Sequence, residues 1–146
     1  MYKRAFIICV LLWVAGNCFA DNILTTLEIN GVTVNGGLVY VAVYSNENDY
    51  KNGTSFAEFI LQSNDNALTY LLDLPEGEYV VSVYQDKNGD EKLNSGLFGI
   101  PYEPIGITNY NLRGAPGGFN KLKALVNSNS AKLTVNMGKV KALGII

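Results

Sequence analysis

The chain has 146 residues, with 11 basic and 13 acidic side chains, a formal net charge of −2 at pH 7, no histidine and two cysteines. Without histidine there is no Ser-His-Asp or Cys-His catalysis, and most zinc and copper sites are excluded. The mild negative balance, with no basic run, argues against nucleic acid or an anionic membrane as partner.

Residues 1–20, MYKRAFIICVLLWVAGNCFA, start with Lys3 and Arg4 and continue into an apolar run, Ala5 to Ala15, that is short for a membrane span. Small residues around Cys18-Phe19-Ala20 suit cleavage after Ala20, which predicts a signal peptide. Asn17 before Cys18 argues against lipid attachment there. Both cysteines, Cys9 and Cys18, leave with this segment. The remaining domain, residues 21–146, is then expected to be exported, periplasmic or secreted, with no disulfide, no thiol chemistry and no transmembrane segment.

From residue 23 onward the apolar pattern has the period of strands. ILTTLEINGV (23–32) ends at Asn30-Gly31. Asn35-Gly36-Gly37 is a turn signal, and GLVYVAVY (37–44) is apolar on both faces, as a central strand would be. Residues 45–66 are polar around the patch Phe56 to Leu61, which reads equally as a helical turn or a strand. ALTYLLDL (67–74), the turn Pro75-Glu76-Gly77 and EYVVSVYQ (78–85) predict a hairpin. Tyr79, just after that turn, is expected to pack inside and to hydrogen-bond nearby backbone. Residues 121–128 and 131–138 predict two more strands, and 140–146 a final edge.

The expected fold is all-β: a single antiparallel β-sandwich of about seven strands, of prealbumin or immunoglobulin type. Its core is predicted to hold Leu27, Ile29, Leu38, Val41, Val43, Leu72, Val81, Val83, Leu125 and Leu133. One long Gly/Pro/Asn-rich loop, 86–120, interrupts the pattern. A structureless connection of that length usually has a function or is ordered by something else.

That loop opens with QDKNGDEKLN. Asp86, Asn88 and Asp90 alternate, with Gly89 between the last two, an oxygen-ligand spacing that suits a hard cation. Asn94 and Glu103 are candidates to complete the shell. Against the EF-hand pattern, Glu91 stands where glycine is required and Leu97 where the closing glutamate is required. A plain turn explains the same composition. If a cation binds, calcium at weak affinity is expected, with Asp86→Ala sparing the apo fold. No other cofactor is required. Tyr102, Tyr110 and Phe119 either stack on a ligand or pin the loop to its sheet.

The run LPEGEYVVSVYQDKNGDEKLNSGLFGIPYEPIGITN resembles the bacterial secreted family catalogued as domain of unknown function 2141. It carries a Leu-Pro-x-Gly-x-Tyr turn at Leu74 to Tyr79, the acidic loop at Asp86 to Asn94 and a Gly-Ile-Pro-x-Glu-x-x-Gly turn at Gly99 to Gly106, and the family's late Phe-rich strand corresponds to Phe119 onward. The resemblance implies a prealbumin-like sandwich and no particular reaction. Gln85 stands where many members have histidine, Glu91 where glycine is usual and Asn94 where aspartate is usual. The Asp-x-Asn-Gly-Asp run also resembles calcium loops in β-sandwich repeats of bacterial adhesins.

The functional expectation is an exported, non-enzymatic binding or envelope-associated module for an extracellular or envelope ligand. The alternative is a hydrolase using carboxylates such as Asp73, Glu78 and Glu103.

Overall fold

A computed structural model describes residues 21–142. The signal peptide expected at residues 1–20, with Cys9 and Cys18, lies outside the described residues, as does the end of the edge expected at 140–146. Within the described part of that edge, Lys141 makes only an isolated bridge to Arg113.

The described chain is predominantly β, with eight strands in two sheets. In chain order the elements are β1 (Ile23–Asn30), β2 (Leu38–Tyr44), α1 (Glu47–Asn52), β3 (Ala57–Leu61), β4 (Ala67–Leu74), β5 (Gly77–Asp86), β6 (Ile105–Ile107), α2 (Phe119–Leu122), β7 (Ala124–Val126) and β8 (Lys132–Asn136). One sheet has the order β4-β1-β8. The other has the order β3-β2-β5-β6, with β7 pairing the start of β5.

Side-chain alternation builds the core. Leu27 and Ile29 of β1, Leu72 and Leu74 of β4, and Leu133 and Val135 of β8 point inward from the first sheet. Val39, Val41 and Val43 of β2 and Val81 and Val83 of β5 meet them from the second, in one buried cluster. Burying each such side chain contributes about 1.5–3 kcal/mol, so this cluster dominates stability. A smaller cluster, with Val80, Ile105, Tyr110, Phe119 and Leu122, lies under the long loop.

Two expected core residues are corrected. Leu38 is half-buried and Val39 takes the inward place, because a period of two cannot put Leu38 on the face of Val41 and Val43. Leu125 is 49% exposed and Val126 is buried. The stretch 121–128 is not one strand either. Phe119–Leu122 is a helical turn that buries Phe119 and Leu122 three residues apart, and a three-residue strand follows.

The expected hairpin at 67–85 is also overturned. β4 pairs β1 along its whole length and β5 pairs β2 from Leu38↔Asp86 to Tyr44↔Val80. The Pro75-Glu76 link therefore carries the chain from one sheet to the other. Pairing is not antiparallel throughout, since β1 and β8 are parallel, Thr26↔Lys132 to Asn30↔Asn136. The patch at 56–61 resolves as β3, and the polar stretch before it contains α1, capped by the Asn46 side chain.

Tyr79 meets its expectation. Its ring is buried and its hydroxyl donates to the Pro75 carbonyl at 2.8 Å, pinning the sheet-to-sheet corner. Tyr79→Phe should cost about 1 kcal/mol, the net worth of one hydrogen bond. An unchanged urea midpoint would show that the bond contributes nothing.

Candidate functional site

β5 ends at Asp86, where the acidic loop begins. Asp86 is only 2% exposed and Glu103 5%. Both carboxylates are held by backbone. The Gly89 N–H donates to Asp86 Oδ1 and the Glu91 N–H to Oδ2, each at 2.8 Å. The Lys87 N–H donates to Glu103 Oε1 at 2.9 Å and the Asn94 N–H to Oε2 at 3.3 Å. One acid thus closes the turn from inside and the other ties the turn to the segment 94–103. Backbone bonds from Tyr102 N–H to Asn94 O and from Gly96 N–H to Ile100 O complete a small hairpin beyond it.

Of the five candidate ligands, Asp86, Asp90 and Glu103 converge. One oxygen from each lies within 4.8 Å of the others. Asn88 Oδ1 accepts from the Asp90 N–H at 3.2 Å and shapes the turn. Asn94 turns its amide nitrogen, not its oxygen, to Asp90 Oδ2 at 2.8 Å. That amide, with the N–H of Lys92 and the Asn88 side chain, holds the Asp90 carboxyl below the usual carboxylate range, against the opposing effect of lost solvent. The contribution of Asp90 to stability is therefore complete above about pH 4 and is lost as pH falls through the lowered value.

This arrangement suits a hard cation because a carboxylate oxygen bonded to one N–H keeps a free lone pair. It is equally a self-sufficient turn. The expectation that Asp86→Ala spares the fold does not survive this geometry. Removing a buried carboxylate strands two N–H groups and should cost about 3 kcal/mol. Asp86→Asn, which keeps one acceptor, should cost less. Equal urea midpoints for Asp86→Ala and the parent would remove the structural role.

Glu91 has a φ of +61°, in the left-handed region. This explains physically why glycine would be the usual residue there. Gln85, noted in the sequence only as a departure from histidine, is fully buried. Its Oε1 accepts from the Thr33 N–H at 2.9 Å, and its Nε2 donates to the Thr33 and Gly37 carbonyls at 2.7 and 3.2 Å. It fixes the β1–β2 connection against the base of the acidic loop. No motif signalled this, because a buried glutamine is recognisable only once its partners are in place.

The other candidates separate. Asp73 accepts from Asn22, and Glu78 pairs with Lys123 at 2.8 Å, while Glu103 serves the acidic loop. Tyr110 and Phe119 are buried and pin the long loop, the Tyr110 hydroxyl donating to the Gly114 carbonyl. Tyr102 is exposed, and a Cβ at Gly96 would fall 2.5 Å from its hydroxyl oxygen. Phe98, at the tip, is 97% exposed with a φ of +68°. Among the described residues, no helix is long and apolar enough to cross a membrane.

A family model described as "Uncharacterized protein conserved in bacteria (DUF2141)" matches residues 27–134. No curated protein and no solved structure matches the chain.

Proposed function

We propose that this chain, which belongs to the DUF2141 family of bacterial proteins, is an exported, non-enzymatic binding module whose acidic loop takes calcium weakly. Two sheets enclosing one core support a single β-sandwich of prealbumin-like kind. The observation that carries the functional reading is the state of the buried acids. Each carboxylate oxygen of Asp86 and Glu103 accepts one backbone N–H and keeps a lone pair free, which ties the start of the long loop, residues 86–103, into a frame at the end of the sheet. Loops held on a rigid sheet are where such folds carry recognition.

The calcium reading rests on the 4.8 Å convergence of Asp86, Asp90 and Glu103. Affinity in the range of about 10⁻⁴ to 10⁻³ M is expected of such a site outside cells. Free calcium tenfold above the dissociation constant then stabilises the fold by about 1.4 kcal/mol. Thermal melts in chelator and in millimolar calcium test this, with Asp90→Asn as the variant, because exposed Asp90 can change without stranding buried groups. The parent should melt higher in calcium and Asp90→Asn should not. Identical melts of the parent in both solutions would leave the loop as a turn.

A further inference from the structure

The outer face of the five-stranded sheet carries a trough of about 860 Å³, and strand register explains its shape. Ala42 lies opposite Ser82 of β5, with Glu58 of β3 on its other side, so the centre of one row of the face holds two small side chains. The adjacent row pairs Tyr40 with Tyr84, whose rings stack 4.9 Å apart and 8° from parallel. On the other side stands Tyr44, held edge-on by Tyr50 at 5.3 Å. Small residues between aromatic ones leave a groove because sheet side chains stand perpendicular to the sheet.

Its charge is one-sided. Glu58 lines it at the β3 edge and Glu91 reaches it from the acidic loop, while no lysine or arginine is among its lining residues. The phenols respond to this surface. Lost solvent raises the Tyr40 hydroxyl first, then the carboxylates of Glu91 and Asp86. Lost solvent and then Glu58 raise the Tyr44 hydroxyl. Tyrosine rings with carboxylates at hand favour an organic cation over an anion or a neutral group. β3 is the terminal strand of its sheet, so the trough opens at an edge where an extended chain can enter. Its volume also accommodates several side chains rather than one ammonium group.

We propose that this trough receives the lysine or arginine side chains of a basic, extended peptide segment of another protein. This deepens the binding-module reading, on which it rests, by naming the partner's chemistry.

The test is a titration of the protein, followed by the ring signals of its tyrosines in nuclear magnetic resonance. The probes are a short Gly/Lys peptide, its Gly/Glu counterpart and N-acetyl-lysine amide. The lysine peptide should shift the trough signals saturably and bind at least tenfold more tightly than N-acetyl-lysine amide, and the glutamate peptide should not bind. The double variant Glu58→Gln/Glu91→Gln should weaken binding about tenfold, and Ser82→Arg, which places a fixed cation on the floor, should abolish it. Glu47→Gln, on α1 outside the trough, should bind as the parent does. Absence of lysine-peptide binding, equal binding of the glutamate peptide or the free amide, or equal weakening by Glu47→Gln would overturn the proposal and leave the binding-module reading standing. Hydrolysis of the peptide during the titration would instead sink the non-enzymatic reading.

Discussion

Gly37→Ala should destabilise the protein by about 4 kcal/mol, within a range of about 2–6 kcal/mol. Gly37 has a φ of +104°, and an added Cβ would fall 1.8 Å from the Asp86 carbonyl oxygen. Backbone strain of about 1–3 kcal/mol adds to overpacking of about 1–3 kcal/mol. The obstacle is main chain, so no flexible side chain can move aside. The contact sits beside the first pair of the β2–β5 ladder, Leu38↔Asp86. Relief would therefore open that ladder and displace the base of the acidic loop. Gly53→Ala is the control, because its φ of +69° is also left-handed but nothing lies within 4 Å of its added Cβ. It should show strain alone, about 1 kcal/mol. Urea midpoints of the two variants decide the matter. Similar losses would mean that the Asp86 contact relaxes cheaply.

Gln85→Leu is the second large effect. The side chains are close in volume, so the change leaves no great cavity. It removes one acceptor and two donors from a fully buried position, stranding the Thr33 N–H and the Thr33 and Gly37 carbonyls. Each orphaned group costs about 1–3 kcal/mol, which gives a loss of about 3 kcal/mol or more. The unfolding slope should stay constant, since the unfolded chain is little changed. A loss below about 1 kcal/mol would show that water reaches these groups and replaces the glutamine.

Both predictions act on the short connection between β1 and β2, which holds Gly37 and is bonded by Gln85 of β5, and which the sequence marks only as Asn/Gly-rich. The connection that looks important by composition, the acidic loop, depends on it from below. The Gly37 carbonyl accepts from Gln85, and its α-carbon abuts Asp86. Stability and the candidate cation site are therefore coupled through residues that carry no charge.

What is local was legible in the residues alone. A strand-period pattern located β1, β4 and β5, and a run apolar on both faces located β2, which together placed most of the inward side chains. Position beside a Pro-x-Gly turn was enough to assign Tyr79 its bond. Composition marked Asp86, Asn88 and Asp90 as a turn or a cation loop, since the same carboxylates serve both.

Everything that depends on pairing was set by how the strands meet in the folded chain. A Pro-x-Gly turn between two strands reads as a hairpin, but β4 and β5 gain more by each pairing a different partner, β1 and β2. The direction of β8 against β1 is set by where the chain returns from, not by its residues. The phase error at Leu125 arose because the turn Phe119–Leu122 is too short to show a helical period. Glu103 joined Asp86 only because the hairpin beyond the loop returns it there, and Asn94 became a donor to Asp90 because that is the face the turn presents. The tyrosine trough was invisible for the same reason. Tyr40 and Tyr84 are far apart in sequence, and only the β2–β5 register sets their rings side by side.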